Sequence, residues 1–337
     1  MSPATAPSDW DQYAALSPGG HVMQSSAWAR IREAQGWRPE YVRVGEPLPL
    51  ALVLWRRTPL GQLGYVPRGP IVAPGDRDGL ARALGALASL ARDRGAVFVK
   101  IDPELPPDEA AALRATGFRR GEDIQPVLAT LELELGGRTD DELLAGFDKD
   151  TRWSVRQADK RGVAVREAST DEDLRVFHEL YALTGQRARF ITRTWEYYRL
   201  VWRTLLDARL ARLWLAETAG EVVAGAMTWR CGERDLYQYG ATNEAGRRCF
   251  AAYALQWRAL TAARERGATR YDFGGIPADL SDTSDTMHGP YLFKKGFGGR
   301  IRRWAGAHDV TARPLAYRAY ALLAPLYTRG LRLMQAR

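Results

Sequence analysis

A duplicated segment is the feature of this sequence that most constrains its fold. Residues Ala91–Ala96 read ARDRGA and residues Ala263–Ala268 read ARERGA, about half the chain length apart. Both hexapeptides end an Ala- and Leu-rich helical stretch, with a glycine, Gly95 or Gly267, where the C-terminal cap of a helix favours that residue. An apolar, strand-like segment follows each of them. The sequence therefore predicts two domains with the same architecture.

The similarity extends upstream of the two helices. A tyrosine-bearing strand breaks at Gly69 in the first copy (Leu63–Val72) and at Gly240 in the second (Leu236–Tyr239). A strand, a glycine-containing break, a long helix and a second strand thus occur twice, which is the order of elements in an N-acetyltransferase core. We therefore predict an α/β (α+β) protein made of two tandem GNAT-like domains, with the active site near their junction.

The segments around the repeat complete the two predicted sheets. Residues Pro126–Leu135 carry alternating apolar side chains and are predicted to close the first sheet. A polar helix over Asp148–Arg161 is predicted to open the second half. After it we predict a strand at Val163–Arg166, helices at Asp171–Thr184 and Thr194–Leu206, and a β-meander at Ala211–Glu217, Glu221–Arg230 and Asp235–Tyr239.

The charge of the chain bears on its partners. The formal net charge is +8, which favours an anionic partner such as nucleic acid, a nucleotide phosphate or an anionic membrane surface, although solubility alone also explains such a value. Arginine supplies nearly all of the cations, and the lysines are only Lys100, Lys149, Lys160, Lys294 and Lys295. Because only lysine offers a compact, mobile ammonium, the Lys294–Lys295 pair is a candidate for chemistry.

Several classes of protein are disfavoured by composition. The two cysteines, Cys231 and Cys249, have neither the spacing of a zinc site nor the number of a disulfide scaffold, so a reducing compartment is expected. The four histidines are scattered, and no metal site is predicted. No secretory signal and no apolar stretch of membrane-spanning length occurs. We expect a cytoplasmic protein.

Coenzyme A binding is not favoured by the loops where acetyltransferases hold the pyrophosphate. Such loops need small residues and backbone N–H groups at a helix N-terminus. The first copy, Gly69–Pro74, contains prolines that lack an N–H group, and the second, Arg248–Tyr253, carries larger side chains. No cofactor is therefore predicted.

Six stretches resemble the FemABX family of peptidoglycan-bridge aminoacyltransferases. They are Met23–Trp28, Tyr65–Pro70, Arg152–Gly162, Tyr239–Asn243, Tyr271–Gly275 and Tyr291–Gly299, and they span the chain from about residue 21 to about residue 304 in family order. The resemblance implies two acetyltransferase-like domains without coenzyme A, in the compact form that lacks a coiled-coil arm. It also implies that a C-terminal helix, Pro314–Met334, folds back on the first domain. The predicted domains are 1–147 plus 312–337, which would bind the precursor, and 148–311, which would bind the tRNA acceptor end and its acyl group.

The resemblance also implies an activity. Such enzymes move an amino acid from aminoacyl-tRNA to the stem-peptide amine of a peptidoglycan precursor, either lipid II or UDP-MurNAc-pentapeptide, and so form the interpeptide bridge. The C-terminal arginines, among them Arg313, Arg318 and Arg329, are a candidate for peripheral contact with the inner membrane surface, although packing on the first domain explains that segment more simply. The alternatives are an acyl-CoA-dependent N-acyltransferase on the same fold and a non-catalytic RNA- or membrane-binding module.

Two residues are the candidate catalytic groups. By the resemblance, Phe293 and Lys294 lie where the tRNA acceptor end meets the transferred acyl group, and the Lys294 ammonium would bind the terminal phosphate or the developing oxyanion. Asp102 ends the first repeat's second strand and matches an aspartate presented to the acceptor amine, whose proton it would accept. A basic turn at Lys294 and an ordinary turn aspartate before Pro103 are the alternatives.

Further cations and aromatics are candidates for binding. The resemblance places Arg32 at a contact with the precursor diphosphate, and a second cation is expected from Arg187 or Arg189. The remaining candidate substrate-binding residues are Arg68, Tyr65, Tyr239 and Lys295. Cations at three- and four-residue spacing on the predicted helix form a basic stripe that would contact tRNA phosphates: Lys149, Arg152, Arg156 and Lys160. For each arginine a solvated surface position is the alternative, and for each tyrosine it is core packing.

Overall fold

The computed structural model describes residues 5–125, 127–188 and 190–323. These residues form two compact units. Unit 1 comprises residues 5–14, 23–125 and 304–323, and unit 2 comprises residues 15–22, 127–188 and 190–303. The chain therefore leaves unit 1 before residue 127 and returns to it at residue 304.

Both units contain strands and helices. The strands are β1 (Arg38–Arg43), β2 (Leu50–Thr58), β3 (Gly61–Val66), β4 (Phe98–Ile101), β5 (Arg119–Arg120), β6 (Ala129–Glu134), β7 (Ala164–Ala168), β8 (Ala211–Thr218), β9 (Glu221–Cys231), β10 (Arg234–Thr242), β11 (Arg270–Gly275), β12 (Arg300–Arg303) and β13 (His308–Thr311). The helices are α1 (Trp10–Ala14), α2 (Ser26–Ala34), α3 (Arg77–Asp93), α4 (Ala110–Ala115), α5 (Asp140–Ala145), α6 (Lys149–Lys160), α7 (Asp171–Ala188), α8 (Trp195–Asp207), α9 (Glu244–Arg248), α10 (Ala251–Glu265) and α11 (His288–Lys295).

The sheet of unit 1 has the order β1-β2-β3-β4-β13-β5. Its β3 and β4 are parallel and are joined through α3, while the other pairs are antiparallel. Leucines at three- and four-residue spacing, Leu80, Leu84 and Leu87, are buried in the apolar core of this unit. This spacing places them on one side of α3, which is why the helix packs against the sheet.

The sheet of unit 2 has the order β12-β6-β11-β10-β9-β8-β7. Its parallel pair is β10 and β11, joined through α10, and the two strands pair only from Arg234–Leu236 to Arg270–Asp272. Beyond that point the register of β10 against β9 shifts between Tyr237 and Tyr239. The two parallel strands thus stop pairing where the chain reaches Gly274 and Gly275, and this opening positions the candidate site.

The repeat predicted from the sequence is confirmed. A strand–helix–strand unit with parallel strands occurs in both halves, as β3-α3-β4 and as β10-α10-β11. The predicted β-meander is also confirmed by the antiparallel run β8-β9-β10. The predicted α/β (α+β) class is therefore correct.

The prediction that Pro126–Leu135 closes the first sheet is wrong. Its strand, β6, lies in the sheet of unit 2, between β11 and β12. In unit 1, β13 and β5 take the positions beyond β4 instead. The alternation of apolar side chains predicts a strand, but the choice of partner strand depends on residues that are distant in the sequence, here Ala129–Glu134 with Arg300–Arg303.

Residues 314–323 are helical and pack on unit 1. The ring centroids of Tyr317 and Tyr320 lie 5.4 Å and 4.9 Å from that of Phe98 on β4, and the Tyr317 hydroxyl donates to Asp309 at 2.7 Å. The rest of the predicted helix Pro314–Met334 lies outside the described residues. Among the residues that are described, no helix has both the length and the apolar character needed to cross a membrane.

Candidate active-site residues

Lys294 is a buried lysine near the C-terminal end of α11. Lys294 is 6% exposed, and its Nζ donates a hydrogen bond of 2.6 Å to the carbonyl oxygen of Gly275, the last residue of β11. An ammonium group has three donors, so two N–H bonds remain for other acceptors. The amine is therefore oriented by the end of a strand, and it is not in the basic turn considered from the sequence.

The turn that receives Lys294 is held by a second buried charge. Asp272 is 1% exposed, and it accepts hydrogen bonds from the Gly274 amide at 2.7 Å and from the Arg234 guanidinium at 3.3 Å. Gly274 has φ +75°, and a Cβ there would lie 2.8 Å from the Tyr237 carbonyl oxygen. Only glycine fits this conformation and this spacing without strain.

Burial lowers the pKa of Lys294 from 10.5 to about 8, and the nearby Asp272 carboxylate opposes part of that shift. Desolvation disfavours the charged form of any amine. An amine with this pKa changes its charge close to physiological pH, and such perturbed pKa values are typical of functional sites.

Asp102 forms the centre of a separate polar cluster in unit 1. It follows β4 directly, is 3% exposed, and accepts hydrogen bonds from the Tyr65 hydroxyl at 2.7 Å and from the Arg68 amide at 2.5 Å. Gln125 extends the cluster, since its side-chain amide donates to the Tyr65 hydroxyl at 3.3 Å. The parallel pairing of β3 with β4 brings Tyr65 and Asp102 to the same end of the sheet.

Burial raises the pKa of Asp102 from 3.8 to about 6, although Arg68 and the Tyr65 hydroxyl act in the opposite direction. The pKa of Tyr65 is raised well above 10, first by burial and then by the charge of Asp102. A carboxylate with a pKa near neutrality is a better proton acceptor than an ordinary aspartate. Asp102 therefore has the geometry of an oriented, partly desolvated base.

The candidate cations of unit 1 are Arg68, whose amide belongs to this cluster, and Arg32, which precedes the cluster in the sequence. Arg68 is partly exposed and has φ +52°, the left-handed region that non-glycine residues seldom adopt. Arg32 lies in the last turn of α2, where its guanidinium donates to Gln35 at 2.6 Å and stands 5.0 Å from the ring centroid of Trp37. These contacts orient the Arg32 guanidinium.

Arg187 is tied to the end of β10 in unit 2. Its guanidinium donates to the Thr242 carbonyl oxygen at 2.9 Å. The pKa of Arg187 is lowered, first by partial loss of hydration and then by repulsion from Arg247. Two neighbouring cations are a suitable arrangement for a phosphate group. Arg189, the other predicted candidate, lies outside the described residues.

The candidate aromatics of unit 2 are in packed clusters. The Tyr239 ring lies 5.5 Å from that of Tyr181 and 5.7 Å from that of Trp202, and burial raises its pKa well above 10. Phe293 is partly exposed and packs 4.9 Å from Tyr253. Lys295, which follows Lys294, is exposed.

The predicted basic stripe on α6 is only partly formed. Lys149, Arg156 and Lys160 are exposed on this helix. Arg152 is half-buried, and its guanidinium donates to the carbonyl oxygens of Ala145, at 3.0 Å, and Phe147. Three of the four predicted cations are thus available to a ligand, whereas Arg152 caps the preceding helix.

A cavity of about 210 Å³ lies elsewhere in unit 2. Arg212, Arg230 and Arg266 line it together with Asp235, which pairs with Arg230 at 3.1 Å and also with Arg266. The cavity lies at the start of β10, whereas Lys294 contacts the end of the neighbouring parallel strand β11. This cavity is therefore separate from the candidate catalytic lysine.

Sequence reasoning missed several residues of these clusters. Gln125 and Arg247 belong to no motif, and only the folded chain brings them next to Tyr65 and Arg187. Trp153 was not predicted as a functional residue, although the cations on the same predicted helix were. Its one sequence signal is a tryptophan on the polar side of that helix, where burial is not expected.

Comparison with known proteins gives a family match over most of the chain. The model of the FemAB family matches residues 5–125, 109–219 and 214–324. The lipid II:glycine glycyltransferase of Staphylococcus epidermidis is 26% identical over 398 residues, with 95% of each chain covered. The enzyme of that name from Staphylococcus aureus is 26% identical over 403 residues, again with 95% of each chain covered.

Solved structures agree on the fold. The crystal structure of FemX superposes with a TM-score of 0.83 at 24% identity and covers 96% of this chain and 100% of that one. The structure of L-PGS from Bacillus licheniformis has a TM-score of 0.55 at 13% identity and covers 86% of this chain and 89% of that one. At such identities these likenesses show the fold alone.

Proposed function

The chain belongs to the FemAB family, and on that basis we propose that it is an aminoacyltransferase of peptidoglycan synthesis. The donor is an aminoacyl-tRNA, and the acceptor is the stem-peptide amine of a lipid-linked precursor. The relatives named lipid II:glycine glycyltransferase, similar over 95% of the chain, support the reaction class and this acceptor. The transferred amino acid is left open.

The buried Lys294 ammonium is the observation that carries this proposal. A buried amine held by the Gly275 carbonyl at 2.6 Å offers fixed positive charge with two free N–H donors. Aminolysis of an ester develops negative charge on the carbonyl oxygen, and a pre-oriented cation at that oxygen lowers the barrier. The ester of aminoacyl-tRNA is already activated, so charge stabilisation and positioning are the main tasks left to the protein.

Asp102 has the complementary role in the proposed reaction. The acceptor amine attacks the ester carbonyl, a C–N bond forms, and the C–O bond to the tRNA ribose breaks. The ammonium of the acceptor must lose a proton first, and the Asp102 carboxylate, held by Tyr65 and Arg68, accepts it. The attacking nitrogen loses its second proton as the C–N bond forms, and the ribose oxygen takes that proton as it leaves.

Arginine side chains supply the proposed phosphate contacts. Arg32 and Arg68 in unit 1 bind the diphosphate of the precursor, and Arg187 with Arg247 in unit 2 binds a second phosphate group. The exposed cations of α6, Lys149, Arg156 and Lys160, bind the tRNA backbone. The bidentate geometry of arginine suits the first two contacts.

An acyl-CoA donor is less well supported. At the N-terminus of α3 the carboxylate of Asp76 accepts a hydrogen bond from the Gly79 amide at 2.8 Å, in the position a pyrophosphate would need. A fixed negative charge there opposes a second anion. At the N-terminus of α10 the N-cap residue is Phe250, whose ring centroid lies 5.1 Å from that of Trp153. This large side chain stands where a pyrophosphate-binding loop needs a small residue.

A lipid-linked acceptor also agrees with the surface of the helical residues 314–323. Leu315, Leu322 and Leu323 are 79%, 76% and 52% exposed there, and Arg318 is exposed beside them. Exposed leucines next to cations are typical of helices that bind the surface of an anionic bilayer. We propose that this face contacts the membrane that carries the precursor.

The test is a transfer assay with purified protein. Total tRNA charged with radiolabelled amino acids is incubated with lipid-linked precursor or, separately, with UDP-MurNAc-pentapeptide. We expect label in the lipid-linked precursor, none after ribonuclease treatment, and a loss of at least about a hundredfold in rate for Lys294→Met. Arg92→Ala, an exposed cation on α3, is the control and should transfer at the wild-type rate.

Three results would contradict the proposal in different ways. Label that moves from an acyl-CoA but from no charged tRNA identifies the acyl-CoA enzyme. Transfer that Lys294→Met leaves intact removes the lysine from the chemistry. RNA or vesicle binding without any transfer identifies a non-catalytic binding module.

A further inference from the structure

A line of aromatic side chains in unit 2 connects the outer face of α6 with Phe293. We call it the aromatic track and define it as Trp153, Phe250, Tyr253 and Phe293. Successive ring centroids lie 5.1 Å, 6.3 Å and 4.9 Å apart, and all four residues are at least partly exposed. The track ends at Phe293, the residue immediately before the buried Lys294.

Core packing does not explain the outer end of this track. Trp153 is 50% exposed, although a tryptophan gains much of its stabilisation from burial. Phe250 has φ +63°, a conformation that costs a non-glycine residue about 1 kcal/mol or more. The chain thus keeps a strained residue and a half-exposed indole side by side at the outer end of the track.

Cations flank the track. Lys149, Arg156 and Lys160 are exposed, and the spacing of these residues places them on the same side of α6 as Trp153. The Arg161 guanidinium lies 4.8 Å from the Phe250 ring centroid and donates to the Arg248 carbonyl oxygen. Flat apolar faces bordered by positive charge are the arrangement that binds single-stranded nucleic acid, with bases on the rings and phosphates on the cations.

We propose that the aromatic track binds the unpaired nucleotides at the 3′ end of the RNA donor, with a base stacked on Trp153. The inference rests on the proposed function for the identity of that RNA. Stacking on Trp153, Phe250 and Tyr253 guides the strand along the track, and the phosphates follow Lys149, Arg156 and Lys160. The esterified 3′ nucleotide then reaches Phe293 and the Lys294 ammonium. Since every base has an aromatic face, the track accepts the end of the RNA with little sequence preference.

The test compares two RNA hairpins that differ only in an unpaired 3′ overhang. Their affinities for the full-length protein are measured by fluorescence anisotropy over a range of salt concentrations. The variants are Trp153→Leu, which removes the aromatic face, Trp153→Phe, which keeps one, and Lys160→Ala, which removes a charge. Arg92→Ala on α3 is the control for loss of a cation. Melting curves check that each variant is folded, which the exposure of these residues favours.

We expect Trp153→Leu to weaken binding of the overhang hairpin about tenfold, or about 1.4 kcal/mol. Binding of the blunt hairpin and the salt dependence should stay as in the wild type, because stacking neutralises no phosphate. Trp153→Phe should restore most of the affinity. Lys160→Ala should instead reduce the slope of log affinity against log salt by about 0.7. In the transfer assay, Trp153→Leu should raise KM for aminoacyl-tRNA and leave kcat nearly unchanged.

Several outcomes overturn the inference. Equal weakening of both hairpins by Trp153→Leu, no effect on either, or a loss of vesicle binding without a loss of RNA binding would each show that the track does not take unpaired bases. Failure of the proposed function is a different result. In that case no charged tRNA gives transfer with the wild type, while the overhang hairpin still needs Trp153.

Discussion

At the scale of the residue, the environment of Lys294 shows how the fold changes the chemistry of a common side chain. An exposed lysine stays protonated up to pH values far above neutral, whereas burial lowers the pKa of Lys294 to about 8. The charge of Asp272 opposes part of this shift, so the pKa stays above neutral pH in spite of the burial. The charge of the proposed catalytic group therefore depends on pH in the physiological range.

This dependence predicts the alkaline limb of the pH profile. Because the ammonium is the charged form and is lost as pH rises through its pKa, kcat/KM for transfer should fall above about pH 8. Lys294→Arg keeps a positive charge at all accessible pH values, so its residual activity should lose this limb. Rate measurements from pH 6 to pH 10 on both proteins test this, and an identical alkaline limb in the arginine variant would assign the limb to another group.

Asp102 permits a prediction in which stability and activity change in opposite directions. Its pKa is raised to about 6 in the folded state, so the ionised carboxylate destabilises the fold above that pH. The penalty shrinks as pH falls below about 6 and disappears below 3.8, where the carboxyl group is protonated in both the folded and the unfolded state. Asp102→Asn should therefore raise the free energy of unfolding at pH 7 by about 1–3 kcal/mol, and by less at pH 5.

The same variant should transfer poorly, since an amide cannot accept the proton. Denaturant unfolding at the two pH values, together with the transfer assay, measures both effects. A variant that is destabilised more at pH 7 than at pH 5 would contradict the sign of the pKa shift.

At the scale of the element, the end of β11 depends on one backbone conformation. Gly274 has φ +75°, and a Cβ added at this residue would lie 2.8 Å from the Tyr237 carbonyl oxygen. Gly274→Ala should cost about 1–3 kcal/mol in unfolding free energy and displace the Gly275 carbonyl that holds Lys294. Activity should fall in parallel.

Gly75 offers a matched control for this prediction. It has φ +79°, and an added Cβ meets nothing within 4 Å. Gly75→Ala should thus carry the backbone strain alone, with some loss of stability and wild-type transfer. Thermal melts and rates for the two variants separate strain from displacement, and equal rates would show that the Gly274 turn does not position Lys294.

The pairing of β13 with β4 rests on a buried ion pair. Lys100 and Asp309 are each 4% exposed, and their side chains are 2.8 Å apart. Lys100→Met should destabilise the protein by about 3–5 kcal/mol, because it leaves a buried carboxylate without its cation. Adding Asp309→Leu should recover part of that loss, which a double-mutant cycle of unfolding free energies measures. Additive losses would indicate that the two charges do not interact.

At the scale of the whole molecule, the exposed leucines of residues 314–323 predict a difference between acceptors. Replacing Leu315, Leu322 and Leu323 with serine should weaken binding to vesicles of anionic lipid and slow transfer to a precursor embedded in them. Transfer to a water-soluble precursor analogue should stay near the wild-type rate. Leu16→Ser, at a leucine 48% exposed in unit 2, is the control. Co-sedimentation with vesicles measures the first effect, and equal losses with both acceptors would point to a damaged fold.

The sequence by itself determined the architecture and the family. The ARDRGA and ARERGA copies, with their flanking strands, indicated the repeated strand–helix–strand unit, because hydrophobic periodicity and glycine caps are local properties. The six motif stretches indicated the family, which the match over residues 5–324 confirms. The scarcity of lysine and the end of the repeated strand made Lys294 and Asp102 candidates, while their roles came from the resemblance and stay predictions.

Only the tertiary structure decided which strands pair and which side chains are buried. β6 joined the second sheet because pairing depends on contacts between distant residues, which alternation does not specify. Arg152 does not join its basic neighbours on α6, because its guanidinium donates hydrogen bonds to two backbone carbonyl oxygens. Tertiary structure also decided the shifted pKa values of Lys294 and Asp102. It likewise formed the line of aromatic rings from Trp153 to Phe293. Desolvation and stacking are set by what folding brings close in space, and a sequence records only what is close along the chain.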